Sequence, residues 1–105
     1  MRKTVIYFKS KRALEHLLKH REVYTIRPKE RTEGFAVVKT SRKSQRLAVV
    51  DVKYVGKVSA GTLDNFVDKS GFRSVREWLE EVRRLNGGKL PERMFLYCVK
   101  LLERL

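Results

Sequence analysis

Three apolar, β-branched runs follow one another with only short polar breaks: "EVYTIRP" (22–28), "FAVVKT" (35–40) and "RLAVVDVKYVGKV" (46–58). Runs rich in Val, Ile, Tyr and Thr and bounded by Pro, Gly and Ser read as strands. The breaks "KERTEG" and "SRKSQ" are too short for the crossover that parallel neighbours need, so the three runs predict an antiparallel meander. In the first run, Tyr24 and Ile26 share one face, while Val23, Thr25 and Arg27 share the other. Pro28 cannot donate to a ladder and marks the end of that strand or a sheet edge. In the last run Val50, Val52 and Tyr54 alternate with Asp51 and Lys53, and Gly56 suits a bulge.

Other strands and helices flank this block. "TVIYF" (4–8) has strand composition, and Ser10 then caps a helix, "KRALEHLLKH", with Ala13, Leu14, Leu17 and Leu18 on one face. The segment "AGTLDNFVDKSG" predicts a short helix entered at Thr62, with Leu63, Phe66 and Val67 inward and Gly71 as its stop. Ser74 and Glu77 form a capping box ahead of a second amphipathic helix bearing Val75, Trp78, Leu79, Val82 and Leu85, which Asn86-Gly87-Gly88 terminate. "RMFLYCVKLLERL" is apolar on both faces, so periodicity leaves strand and helix open, although Phe95, Tyr97, Val99 and Leu101 share one side of a strand. The expectation is a single α+β domain over residues 1–105, with a small curled sheet or barrel of about five to six mostly antiparallel strands flanked by helices.

The chain carries 25 Lys and Arg against 12 Asp and Glu, a formal net charge of +13. The excess lies in the first half: residues 1–50 hold 14 basic and 4 acidic side chains, and residues 51–105 hold 11 and 8. Such a field captures polyanions, which points to RNA or DNA as partner. The lone Cys98 allows no intramolecular disulfide and reads as a buried apolar residue. No apolar run reaches the ~18–20 residues of a membrane span, and Val5 to Phe8 is too short for a signal peptide. A cytoplasmic protein with no membrane partner is expected, and the charge density and single cysteine also fit a thermophile.

"ALEHLLKHREVYTIR", a short helix running straight into a strand that ends in Arg, and the later block "SGFRSVREWLEEVRRLNGG" together resemble the ASCH family, over nearly the whole chain. The resemblance implies a PUA-like β-barrel, a strand for the last segment, and RNA binding on a basic face. Some members are hydrolases that deacylate modified cytidines, and others are assigned nuclease activity. The family's strand motif, Gly-x-Lys-x-x-(Glu or Thr)-x-Arg, falls on His20, Glu22, Thr25 and Arg27. Thr25 and Arg27 match; His20 stands in place of the glycine and Glu22 in place of the catalytic lysine. The expected place of the catalytic glutamate falls near Ser70 or Gly71. The resemblance therefore leans away from deacylation and towards binding.

Candidate nucleic-acid contacts follow. Thr25 and Arg27 share a strand face, and a guanidinium there suits a phosphate or a base edge. Lys29 and Arg31 lie just past Pro28, and Arg42, Lys43 and Arg46 lie on the next hairpin turn. Lys9, Lys11 and Arg12 crowd a helix N-terminus, where cations oppose the dipole. Tyr24, Phe35, Tyr54 and Tyr97 are candidate base-stacking rings, with core packing the commoner role at strand parity. His16 and His20 share a helix face but lack a third ligand, so neither a metal nor a cofactor is expected. Two other readings remain: a hydrolase acting on RNA or a modified nucleoside through Thr25 and Glu22, and a ribonucleoprotein-docking protein with no site of its own.

Overall fold

In a computed structural model describing residues 4–105, the elements run β1 (Thr4–Tyr7), α1 (Lys11–His20), β2 (Glu22–Arg27), β3 (Gly34–Lys39), β4 (Ala48–Val58), two 3₁₀ turns (Ala60–Asn65 and Val67–Lys69), α2 (Val75–Leu85) and β5 (Met94–Arg104). The fold is α+β, with one mixed five-stranded sheet in the order β1-β3-β4-β5-β2. Three ladders are antiparallel, and β1 pairs with β3 in parallel.

The expected meander is only partly realised. β3 and β4 form the predicted hairpin, but β2 is not beside β3; it pairs with β5, as in Val23↔Val99 and Thr25↔Tyr97. Residues 28–33 therefore carry the chain from one edge of the sheet towards the other and do not close a hairpin. A short polar break looks the same in sequence in either case, and the partner that wins is the more apolar one. β5 has apolar residues on both faces because both are covered. Phe95, Tyr97, Val99 and Leu101 join the core beneath α1, whereas Leu96 packs with Leu63, Phe72 and Trp78 on the side of α2. β2 divides the same way, Val23 to the first cluster, Tyr24 and Ile26 to the second.

α1 enters β2 with no intervening loop. Arg21 takes a left-handed conformation (φ 67°) that caps the helix through its N–H on the Leu17 oxygen. Its own carbonyl accepts from the Leu101 amide, which begins the β2–β5 pairing. β4 shifts register between Tyr54 and Gly56, at the expected bulge, and again between Val49 and Val50. Such shifts bend and twist a long strand. The predicted helix at Thr62 is two 3₁₀ turns, with Leu63 fully buried and Gly71 following at φ +91°.

No backbone ladder joins the outer strands β1 and β2, so the sheet is not closed. The two edges nonetheless approach each other, because Arg27 Nη1 on β2 donates to the Tyr7 oxygen on β1 at 2.6 Å. Strands at opposite ends of a five-stranded order can touch only if the sheet curls strongly on itself. Among the described residues, no helix is long and apolar enough to cross a membrane.

Candidate nucleic-acid interface

The gap between the free edges of β1 and β2 is the centre of the site. A pocket of about 170 Å³ opens there. The end of β1 supplies Tyr7 and Phe8, followed by Lys9 and Ser10, and β2 supplies its residues from Tyr24 to Arg27. α2 walls the far side with Trp78, Glu81 and Val82. The Ser74 hydroxyl accepts from the Glu77 amide, and this cap starts α2 so that Trp78 and Val82 face the sheet. The walls are mainly apolar with a few convergent polar groups, a usual composition for a ligand site.

Strand alternation brings Thr25 and Arg27 together here, as the sequence predicted. Thr25 is buried and lines the pocket. Arg27 lies over the Phe8 ring, with its guanidinium carbon 4.9 Å from the ring centroid. Its Nε is buried without a partner. Burial, and then repulsion from Arg31, push the Arg27 pKa down to about 10, with Tyr97 opposing. Among the described residues no carboxylate pairs with Arg27. A buried cation without a counterion is costly unless something else satisfies it.

Arg27 also borders a second, shallower groove with Thr4, Tyr7, Lys29 and Arg31. Arg31 is held firmly. The hydroxyl of buried Tyr97 accepts from the Arg31 amide at 2.7 Å and donates to its carbonyl at 3.3 Å. The Arg31 guanidinium donates to Thr4 Oγ1 at 3.0 Å and to the Thr32 oxygen at 3.2 Å. Lys29 is exposed at the rim.

The remaining predicted cations lie elsewhere. Arg12 pairs with Glu77 at 2.9 Å and covers the Phe72 ring at 4.7 Å, so it ties α1 to α2. Lys11 is exposed and lines neither depression. Arg42, Lys43 and Arg46 stand on the exposed β3–β4 turn, ordered by Ser44 Oγ and by Lys39 Nζ, which donates to the Arg42 oxygen. This turn flanks Lys9, because the Phe8 amide donates to the Lys39 oxygen. Of the candidate stacking rings, Tyr97 is core and Tyr24 packs edge-on against Phe66, while Phe35 and Tyr54 are exposed.

Thr25 and Glu22, the pair required by a hydrolase reading, are not brought together. Odd spacing on β2 sets them on opposite faces, and Glu22 accepts from Cys98 Sγ at 3.2 Å and from Lys69 Nζ at 3.5 Å. The Cys98 hydrogen bond and Lys69 hold the Glu22 carboxyl below its usual value. The His16 and His20 rings sit 4.5 Å apart, and burial, then His20, lower the His16 pKa. No group of three or more His, Cys, Asp and Glu suited to a metal occurs among the described residues.

Glu81 was missed by sequence reasoning. Its carboxylate accepts from Ser10 Oγ at 2.8 Å and from Arg84 Nε at 2.6 Å, and it lines the pocket. The signal was its position between Trp78 and Val82, a carboxylate inside an apolar helix stripe. No protein-family model, curated protein or solved structure matches this chain.

Proposed function

We propose that this protein binds RNA, receiving one unpaired base in the pocket between β1 and β2 and holding the adjoining phosphates on Lys9, Lys29 and Arg31. The observation that carries the reading is the convergence of Thr25 and Arg27, a cation with no carboxylate partner among the described residues, on one open pocket in a chain of net charge +13. The pocket is smaller than the ~300 Å³ at which drug-sized sites begin, which suits a single base better than a whole nucleotide. RNA readers commonly take splayed-out bases in this manner, with the backbone tracked by cations. The PUA-like barrel, ASCH membership and cytoplasmic location belong to the same proposal. The first two are supported by the curl that brings the sheet's edges together and by the direct passage from α1 into a strand ending in Arg27.

The test is anisotropy titration of a short single-stranded RNA across a salt series. Affinity should fall linearly on a log–log plot against salt, and Lys9→Gln with Lys29→Gln should flatten the slope by about 0.7 unit per cation removed. Arg83→Gln, on the solvent side of α2, should leave the slope alone. Absence of binding at low salt, or a slope near zero, would sink the proposal. A triple substitution of Arg42, Lys43 and Arg46 decides whether the β3–β4 turn takes part.

A further inference from the structure

The groove bounded by Arg27 and Arg31 has features that capture of a base does not require. Both arginines line the groove, and no carboxylate pairs with either of them among the described residues. Arg27 Nε is withdrawn without a partner and Nη1 is bound to the Tyr7 oxygen, so a ligand would meet the remaining Nη donors. Arg31 is fixed through its backbone by the buried Tyr97 hydroxyl and through its side chain by Thr4 and Thr32. Two repelling cations are thus held in place by neutral groups. The acidic residue at the groove is Glu30, which is exposed, forms no ion pair among the described residues and exerts its charge on Tyr54.

We infer that this groove is a binding site for a phosphate dianion, gripped between the guanidinium groups of Arg27 and Arg31. Charge decides between the kinds of phosphate. An internal phosphodiester carries one negative charge, whereas a phosphomonoester or inorganic phosphate carries about 1.5 to 2 at neutral pH. Only the dianion offsets both cations, and each guanidinium retains N–H groups beyond those engaged by Tyr7, Thr4 and Thr32 to donate to its oxygens. Two sources present this chemistry: the terminal phosphate of an RNA strand, or free phosphate. The first extends the RNA reading above and rests on it; the groove itself does not.

The experiment has two arms. In the first, thermal unfolding is followed in inorganic phosphate and in chloride at matched ionic strength. Phosphate should raise the Tm by about 5 °C at concentrations well above its Kd. The rise should vanish in Arg31→Gln and persist in part in Arg31→Lys, with folding of both variants checked in chloride alone. Equal Tm values in phosphate and chloride, or a rise that survives Arg31→Gln, would overturn the site. In the second arm, one RNA sequence is titrated bearing a 5′-phosphate, a 3′-phosphate or hydroxyl ends. Tenfold tighter binding of one phosphorylated form assigns the groove to an RNA terminus. Equal affinities, with the Tm rise intact, assign it to free phosphate. The hydroxyl-ended RNA tests the RNA reading separately, because its binding can fail while the phosphate response holds.

Discussion

Arg27 Nη1 lies 2.6 Å from the Tyr7 oxygen, and this hydrogen bond spans the open seam between the two edge strands of the sheet. The same side chain stacks on Phe8, lacks a carboxylate partner and borders both depressions. It therefore has a structural role and an unused binding capacity.

Replacing Arg27 with Met separates the two. The variant loses one hydrogen bond, worth about 1 kcal/mol, but it also removes a desolvated, unpaired charge of comparable or greater cost. Stability by urea unfolding should therefore change by no more than about 1 kcal/mol, while RNA affinity falls at least about tenfold. Loss of several kcal/mol would assign Arg27 to the fold instead.

Gly71 sets how closely the loop before α2 approaches α1. At φ +91° a side chain is strained, and a Cβ there would lie 2.7 Å from the Arg12 backbone oxygen. Gly71→Ala should cost about 2–3 kcal/mol by chemical denaturation. Gly61→Ala, where a Cβ meets open space, provides the comparison and should cost less than about 1 kcal/mol.

Glu81 links the two helices through Ser10, whose hydroxyl also caps α1 by accepting from the Ala13 amide. Its hydrogen bond from Arg84, reinforced by Ser10, holds the carboxyl below its ordinary value. A depressed carboxyl pKa adds stability that is present above the unfolded value of about 4.3 and is lost as pH falls through the lower folded value. Glu81→Gln should be less stable than the parent by about 1 kcal/mol at pH 7, and the gap should close between about pH 4 and pH 2. A gap that stays constant from pH 7 to pH 2 would remove the ionised form from this account.

Cys98 should be sluggish towards thiol reagents. Burial and the Glu22 carboxylate raise its pKa to about 11, and its Sγ donates to Glu22 Oε1 at 3.2 Å. Since the thiolate is the nucleophile, alkylation of the folded protein by iodoacetamide at pH 8 should run about a hundredfold slower than that of the urea-unfolded chain. Glu22→Gln should quicken the folded-state reaction; an unchanged rate would leave burial as the whole cause.

Local chemistry is readable wherever it is carried by neighbours in the chain. Ser10 and Ser74 cap helices as their positions demand, and the Tyr54–Gly56 register shift falls at the expected glycine. Alternation along β2 is enough to set Thr25 and Arg27 on one face. The same parity separates Glu22 from Thr25, a consequence that the motif positions alone do not express. What residues far apart in the chain decide lay beyond the sequence. The choice of β5 over β3 as the partner of β2 depends on which apolar faces two helices can cover together. The curl that carries Arg27 to Tyr7, the Tyr97 hydroxyl that fixes Arg31 and the diversion of Arg12 to Glu77 join residues 20, 66 and 65 positions apart. Composition made the protein basic; only packing determined which two of its cations line one groove, held by neutral groups and without a carboxylate partner among the described residues.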